Sequence, residues 1–441
     1  MMKTLLSLVA GLSLAAAASA DDDPLNAWPQ MRGPRGDGIA PNATPPVEWS
    51  ETKNVRWKVP IPGRGSATPV VWGDRIFLLT AVDTGKAPPG AAPAPGVPGE
   101  PGMSTGTPTT LHQFLVLCLD RATGKTLWSR TAAEAVPHEG HHPSHGFASG
   151  SPATDGKVLV ASFGSRGIYA YDLDGSLQWS TKLGEMKIKI GFGEGISPVL
   201  TGGRVLVNWD HEGDSFIVAL DAASGKEQWR QARDEKTTWS TPYVVQYGGR
   251  TQAIVNGTTK TRSYDAATGA LLWECGGQGL NAIVMPVSRE GLVYCMTGYK
   301  GTALYAIRLD STGDVTGSAQ VVWKRMDAAP YVASPLLMDK LLYYTKERQG
   351  VLLCADAATG ETKFGPERLP GIDTIYASLA GAAGKIYAVG REGVTLVLQE
   401  GPAFKVLSSN RLAEGVDASP VLVGRELYLR GAHSLYRIEA D

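Results

Sequence analysis

The strongest constraint on the fold of this 441-residue chain is an internal repeat. An Asp, a Gly four residues later and a Trp four residues after that recur in Asp120–Trp128, Asp221–Trp229 and Asp265–Trp273. Looser copies run from Asp172 to Trp179, Asp310 to Trp323 and Asp356 to Phe364. Each unit begins at a start that usually places a small residue before Pro: Thr68, Ser151, Ser197, Thr241, Met285, Ser334, Ser378 (followed by Leu) and Ser419. After the first interval the starts are 41 to 49 residues apart, a period typical of β-propeller blades.

Each repeat unit contains four short runs that are rich in β-branched and aromatic residues. In the third unit these runs predict strands over Pro198–Thr201, Val205–Asp210, Phe216–Asp221 and Glu227–Gln231. The Asp-x-x-Thr-Gly segment predicts a turn between the last two strands, because Asp accepts backbone hydrogen bonds and Gly adopts a positive φ. The Trp that follows is expected to pack between neighbouring blades.

The two ends of the chain have complementary deficits. There are eight starts, but the last unit has room for only three strands before Asp441. Asn54–Val59 has the Trp pattern of a fourth strand and precedes the first start. We therefore predict an all-β fold, an eight-bladed β-propeller of four-stranded antiparallel blades, whose ring is closed by an N-terminal strand, since closure removes exposed sheet edges.

The remaining segments predict the domain organisation. Residues 1–20 have a basic start, a short apolar run and a small-x-small site, which predict a signal peptide. With no lipobox cysteine beside that site, we expect a periplasmic or secreted protein. Residues 21–53 are interpreted as an N-terminal arm and 54–441 as the propeller. Within blade 1, the Pro/Gly/Ala-rich residues 83–110 are expected to be a disordered loop.

Composition limits the classes of partner. The net charge of −1 argues against nucleic acid, whose binding needs a basic surface. We expect no transmembrane segment, because no apolar run after the N-terminus approaches ~20 residues. Cys118 and Cys354 share one repeat position and read as buried apolar residues. Cys275 and Cys295 are either free or a disulfide pair. The oligomeric state is not set by the sequence.

The loops between blades, and those between second and third strands, are variable and should share one face. Binding residues concentrate on such loops when a rigid frame holds them. Trp239 could stack on a planar ligand there or pack between blades. The predicted ligand-binding face contains Arg64, Asp210, His211, Asp214, Trp239, Asn281, Tyr331 and Arg391.

Two segments are candidate metal sites. Asp210, Glu212 and Asp214 could supply oxygen ligands to calcium, or the loop could be a hydrogen-bonded turn. His138, His141, His142 and His145 lie within eight residues and could bind zinc, copper or nickel, although their spacing matches no established structural site. No motif indicates catalytic residues.

The repeats with Asp-x-x-Thr-Gly-x-x-x-Trp resemble those of the pyrroloquinoline-quinone-like (quinoprotein-type) β-propeller family. The arm Trp28-Pro-Gln-Met-Arg-Gly-Pro-Arg-Gly-Asp-Gly and the segment Asp210–Ser215 resemble a short exported bacterial group that is similar to outer-membrane assembly factor B. The quinone enzymes of this family imply pyrroloquinoline quinone and calcium as candidate cofactors. They also use an adjacent Cys-Cys disulfide, which is absent here, and a calcium ligand set that no motif of this chain matches.

These observations favour a binding or protein-interaction scaffold that presents its variable-loop face to a protein or polymer. The alternative is a pyrroloquinoline-quinone-dependent oxidoreductase, similar to the alcohol dehydrogenases. No cofactor is certain from the sequence.

Overall fold

A computed structural model describes residues 23–90 and 99–440 of the chain. The predicted signal peptide and part of the 83–110 segment lie outside the described residues. Three short 3-10 helices occur in the described part: Pro24–Asn26, Gly164–Arg166 and Lys189–Gly191. Among the helices of the described residues, none has the length and apolar character needed to cross a membrane.

The described strands form eight antiparallel sheets, which we number as blades 1 to 8 in chain order of their first strands. Blade 1 contains β2 (Val70–Trp72), β3 (Arg75–Asp83), β4 (His112–Asp120) and β5 (Thr126–Ala135), and blade 2 contains β6 (Ala153–Thr154), β7 (Leu159–Ser162), β8 (Ile168–Tyr171) and β9 (Leu177–Thr181). Blade 3 contains β10 (Val199–Thr201), β11 (Arg204–Trp209), β12 (Phe216–Asp221) and β13 (Glu227–Ala232), and blade 4 contains β14 (Tyr243–Tyr247), β15 (Arg250–Val255), β16 (Lys260–Asp265) and β17 (Leu271–Gly276).

Blade 5 contains β18 (Val287–Arg289), β19 (Leu292–Gly298), β20 (Thr302–Arg308) and β22 (Val321–Arg325), and blade 6 contains β23 (Leu336–Met338), β24 (Leu341–Thr345), β25 (Val351–Asp356) and β26 (Thr362–Arg368). Blade 7 contains β27 (Ala380–Ala382), β28 (Lys385–Val389), β29 (Val394–Gln399) and β30 (Val406–Arg411), and blade 8 contains β31 (Val421–Val423), β32 (Glu426–Arg430), β33 (Ser434–Glu439) and the N-terminal β1 (Val55–Pro60). The short β21 (Gly313–Asp314) pairs in parallel with β17 as a fifth strand of blade 4. The eight-bladed fold is confirmed, and the strands of blade 3 begin and end within one residue of their predicted bounds.

The N-terminal strand closes the ring. β1 pairs antiparallel with β33, with Val59 opposite Leu435 and Trp57 opposite Arg437. The predicted closure is therefore confirmed. Innermost strands of neighbouring blades contact one another around the ring, and outermost strands such as β13 alternate between half-buried and exposed side chains. The hydrophobic core therefore lies between the faces of adjacent blades.

The repeated Trp and Gly belong to one interaction between consecutive blades. The indole N–H of Trp179 in blade 2 donates to the carbonyl of Ala222 in blade 3 at 2.9 Å. A Cβ placed on Gly225, in the turn of blade 3, would lie 2.5 Å from the same ring. Trp57, Trp128, Trp229 and Trp323 make the equivalent contacts with Gly124, Gly175, Gly269 and Gly360 of the next blade. The repeat thus conveys both the turn and the packing between blades.

We expect Gly269→Ala to destabilise the protein by about 2–4 kcal/mol, because φ is +77° and the added methyl group would lie 2.6 Å from the ring of Trp229. Gly248→Ala is the matched control, since its φ is +56° but nothing lies within 4 Å of the added Cβ. The control should lose only about 1–2 kcal/mol. Equal losses in urea-unfolding experiments on the two variants would contradict the packing role of the Trp.

All four cysteines are buried free thiols. Cys275 lies on β17 and Cys295 on β19, and both belong to one apolar cluster between blades 4 and 5. The disulfide that the sequence left open is thus not formed in this structure. Burial raises the pKa of Cys275 to about 11, so its thiol is protonated at neutral pH.

Candidate functional site

A cavity of about 780 Å³ opens at the mouth of the central channel, on the side that carries the loops between blades. We call this cavity the cup and this side of the ring the cup face. Residues at or just before the start of every blade line it: Ser66, Thr68, Ser149, Ser151, Gly195, Trp239, Thr241, Ile283, Val332, Ser334, Tyr376, Ser378, Asp417 and Ser419. The cup therefore draws on all eight blades.

The N-terminal arm crosses the channel beneath the cup. Trp28 pairs through its backbone with Val71 of blade 1, and the carbonyl of Pro29 accepts from the N–H of Thr154 in blade 2 at 2.8 Å. Further along the arm, Ile39 pairs with Gly381 of blade 7. Between these two points Arg32 reaches the carbonyl of Ser334 in blade 6. Because blade 6 faces blade 2 across an eightfold ring, this path traverses the channel.

Two arm residues form and support the floor of the cup. The sulfur of Met31, which lines the cavity, lies 3.4 Å from the hydroxyl of Ser197 and 3.8 Å from that of Thr241. Arg32 is only 1% exposed. Its guanidinium donates to five backbone carbonyls, those of Gly36, Asp37, Ser334, Pro335 and Leu379. Burial lowers the pKa of Arg32 to about 10, so the group is still charged at neutral pH.

A chain of hydrogen bonds joins the blade starts around the channel. The N–H of Thr68 donates to the hydroxyl of Ser151, and the N–H of Ser151 donates to that of Ser197, both at 2.9 Å. The N–H of Ser197 donates to Thr241 at 3.2 Å, and Met285 continues with a bond to Ser334 at 3.0 Å. The N–H groups of Ser334 and Ser378 donate to Ser378 and Ser419, each at 3.0 Å. The small residue before Pro is therefore usually Ser or Thr, because its hydroxyl accepts a backbone N–H from the preceding blade.

Aromatic and cationic side chains line the cup on the side of blades 5 to 8. The rings of Tyr299 and Tyr331 stack with centroids 4.7 Å apart. Lys300 and Arg348 also line the cup, and within the described residues neither forms an ion pair. Burial raises the pKa of the Tyr331 phenol, which keeps it protonated.

Arg391 is held by two partners at this side of the cup. Its guanidinium lies 4.4 Å from the ring centroid of Tyr376 and binds both carboxylate oxygens of Asp417, at 2.6 and 3.0 Å. The pairing fixes the orientation of Arg391 and neutralises the nearest acid. Glu194 and Glu347 also line the cup, so its wall carries both acidic and basic side chains.

The opposite wall contains Trp239 and Phe192, whose ring centroids are 6.2 Å apart. The indole N–H of Trp239 donates to the carbonyl of Gly193 at 2.8 Å. Trp239 lines the cup and also packs on blade 3 residues, and its stacking on a planar ligand stays a prediction.

Four residues other than Gly have positive φ in the loops that form the cup. These are Ile190 (54°), Asn281 (55°), Lys300 (43°) and Glu347 (50°). Such conformations are strained for a β-branched residue like Ile190, and strained residues cluster at ligand-binding sites.

The histidine segment lies in the loop between blades 1 and 2, and His142 and His145 line the cup. The rings of His141 and His142 lie 5.7 and 6.3 Å from that of His145, and burial lowers the pKa of His145 to about 4. Each of the four rings has a hydrogen-bond partner in the protein. The rings of His138, His141 and His145 bond to the backbone carbonyls of Met186, His142 and Gly146, respectively. The ring of His142 bonds to the hydroxyl of Ser144. Across residues 23–90 and 99–440, no group of three or more His, Cys, Asp or Glu side chains is arranged to hold a metal ion.

Part of the 83–110 segment meets the histidine segment. The N–H of Thr105 donates to the carbonyl of His141 at 2.7 Å, and the hydroxyl of Thr105 accepts from the N–H of His141 at 2.9 Å. Two residues earlier, Met103 lines the cup and is 39% exposed.

The carboxylates of the proposed calcium loop point to different partners. Asp210 is fully buried, and its two oxygens accept from Arg233 at 2.7 and 3.0 Å. Glu212 accepts from the hydroxyl of Thr237 at 2.7 Å, whereas Asp214 is exposed. The geometry matches the alternative interpretation of a hydrogen-bonded loop, because the oxygens do not converge on one point.

The remaining residues of the predicted face are dispersed. Trp239 and Tyr331 line the cup and Arg391 borders it. Asn281 is buried behind the cup, where its amide oxygen lies 3.5 Å from the Nζ of Lys189. His211 is buried in the same loop as Asp210, and the exposed Arg64 lies beside the histidine segment, 3.5 Å from the carbonyl of Pro143. The sequence analysis did not single out Met31 or the hydrogen-bonded Ser and Thr hydroxyls at the blade starts. The recurrence of Ser and Thr at those starts was a signal for the hydroxyls.

Comparisons with known proteins identify the family and the fold. The family model described as outer membrane protein assembly factor BamB matches residues 112–365, more than half of the chain. No curated protein matches the sequence. The crystal structure of BamB from Moraxella catarrhalis is 13% identical with a TM-score of 0.51, covering 82% of this chain and 99% of that one.

Quinohemoprotein alcohol dehydrogenase from Comamonas testosteroni is 10% identical with a TM-score of 0.62, covering 95% of this chain and 81% of that one. The enzyme ADHIIG from Pseudomonas putida HK5 is similar at 11% identity and a TM-score of 0.62, with the same coverage. At these identities the likeness to solved structures shows the fold alone. The family match runs from the third strand of blade 1 into the last strand of blade 6 and confirms the resemblance found in the repeats. The chain belongs to the family described as outer membrane protein assembly factor BamB.

Proposed function

We propose that this protein is an exported binding scaffold, which holds a protein or polymer partner in the cup. The observation that carries the proposal is the composition of the cup, in which stacked tyrosines, unpaired cations and exposed apolar side chains surround one cavity. Aromatic residues, Met and Arg are enriched at protein interfaces. Met103, Ile190 and Leu280 are 38–41% exposed on loops at this face. The description of the matching family, an assembly factor, supports the same role.

The alternative is a quinone-dependent oxidoreductase with calcium. Calcium needs six to eight oxygen ligands in one place. Three carboxylates line the cup. Asp417 is bound through both oxygens by Arg391, Glu194 accepts from the N–H and hydroxyl of Ser165, and the exposed Glu347 does not form a metal-binding group with other acids of the described residues. The described residues do not fit calcium, and we derive no reaction through a quinone. The fold shared with quinohemoprotein dehydrogenases keeps this function as the second candidate.

The scaffold role is tested by fluorescence anisotropy with short labelled peptides of acidic, neutral and basic composition and with soluble polysaccharides. We expect a subset of these probes to bind, with an affinity lowered about tenfold or more by Tyr331→Ala and Arg348→Glu, because buried aromatic and Arg residues dominate binding energy. Arg250→Glu is the control, since Arg250 is exposed in the turn between β14 and β15, on the other side of the ring. Failure of every probe to bind, or equal losses in all three variants, would refute the role of the cup.

A further inference from the structure

The floor of the cup contains hydroxyl groups with hydrogen atoms to donate. Ser151, Ser334, Ser378 and Ser419 each accept an N–H from a neighbouring blade, as described above. Within the described residues none of these four hydroxyls donates to a protein acceptor, and the hydroxyl of Thr68 has no hydrogen bond of either kind. A Ser or Thr hydroxyl carries one hydrogen that it can donate. Five donors are therefore available to an occupant of the cup.

These hydroxyls are held firmly in place. Thr68, Ser151 and Ser334 are 2% exposed, Ser378 is 3% and Ser419 is 7%, and all five line the cavity. The bonds that fix four of their oxygens come from the backbone of the ring itself. Little ordering is left to be done when a ligand binds, which reduces the free-energy cost of binding.

The charged group in contact with the hydroxyl-bearing residues is Arg32. Its guanidinium donates to the carbonyl of Ser334 and to that of Leu379, the residue after Ser378. Lys300 and Arg348 line the same cavity, as do the carboxylates of Glu194, Glu347 and Asp417, of which Asp417 is bound by Arg391. An anion beside the hydroxyls would be attracted to the buried guanidinium and would accept the free hydroxyl hydrogens.

We propose that this hydroxyl ring, formed by Thr68, Ser151, Ser334, Ser378 and Ser419, binds a carboxylate group of the ligand that occupies the cup. The inference rests on the proposed binding function and makes its partner class more specific. A carboxylate offers about four acceptor sites and can therefore accept from hydroxyls of more than one neighbouring blade. It can come from a free small carboxylic acid or from an Asp or Glu side chain of a bound peptide.

The test is isothermal titration of the full chain at low ionic strength with malonate, and with a capped Gly-Glu-Gly peptide against its Gly-Gln-Gly counterpart. Thr68→Val is the informative variant, because it removes a hydroxyl without breaking a hydrogen bond of the structure. Thr345→Val is the matched control, since Thr345 is 1% exposed, its hydroxyl has no partner within the described structure and it does not line the cup.

We expect malonate, the Glu peptide or both to bind saturably, and Thr68→Val to weaken that binding about tenfold or more, as for the loss of a hydrogen bond to a charged acceptor. Thr345→Val should leave it unchanged, and Thr68→Ser, which keeps the hydroxyl, should restore it. Binding of malonate alone identifies a free acid as the source. Binding of the Glu peptide and not the Gln peptide identifies an acidic side chain.

Two outcomes overturn the proposal: neither probe binds, or each binds the wild type and Thr68→Val equally. The proposed function is tested separately by the variants at Tyr331 and Arg348. A peptide whose binding depends on those residues but not on Thr68 would leave the scaffold function intact and remove the carboxylate site.

Discussion

A chain that begins at residue 61 should fail to form a monomeric folded protein, whereas one that begins at residue 49 should fold with reduced stability. The first truncation removes β1, the outermost strand of blade 8, and leaves β33 with an unpaired edge. It also removes Trp57, whose indole N–H donates to the backbone carbonyl of Arg121 in blade 1 at 3.2 Å. The ring would open at the junction of blades 8 and 1, and the exposed edge would favour aggregation.

The shorter truncation keeps the ring closed but loses the floor of the cup. It removes Trp28, which is 1% exposed, and Arg32 with its five hydrogen bonds to the backbone. Loss of one such buried Trp costs about 3–5 kcal/mol, which should lower the thermal midpoint by roughly 3–6 °C for a chain of this length. The reference is the chain that begins at residue 23. Thermal melts and size-exclusion traces decide the matter, and a monomer with a normal midpoint from the chain that begins at residue 61 would show that β1 is dispensable.

The sequence allowed the blade count and the closure to be predicted because both follow from periodicity. One strong repeat fixes where each blade starts, and the missing fourth strand of the last unit then identifies the segment that contains Trp57. The same periodicity cannot place the arm, because Met31 and Arg32 lie outside the repeats and have no equivalents in other units. Their partners in blades 3, 4, 6 and 7 are also distant in the chain. The path of the arm depends on tertiary contacts that leave no local pattern.

The sequence predicted a ligand-binding face, and the structure gathers only some of its residues at one cavity. Trp239 and Tyr331 line the cup, because both lie on loops between blades. Asp210 was read as a candidate ligand because acidic residues surround it in the sequence. Its partner Arg233 is 23 residues away, on the far side of a complete β-hairpin, so spacing alone could not reveal the pair. The Ser and Thr residues at the blade starts were interpreted only as small residues, although what they share is a hydroxyl group that can form hydrogen bonds.

Removal of the carboxylate in Asp210→Ala should cost about 3–5 kcal/mol of stability, because a buried ion pair that loses one partner leaves a charge without compensation. Asp210 and Arg233 both have side chains with no exposure. The same carboxylate accepts from the hydroxyl of Thr238 at 2.6 Å and the amide of Asn208 at 3.1 Å, so the variant also leaves the Thr238 hydroxyl without its acceptor. Urea-unfolding curves at neutral pH measure the loss.

Asp214→Ala is the matched control, because this residue belongs to the same loop and is exposed. Its substitution should change stability by no more than about 0.5 kcal/mol. The pair also separates the two interpretations of the loop. If the loop serves as a hydrogen-bonded frame, millimolar calcium leaves the thermal midpoint of the wild type unchanged and only Asp210→Ala is destabilised. If it binds calcium, the ion raises the midpoint of the wild type and both substitutions abolish that rise, since each removes a ligand from the same site.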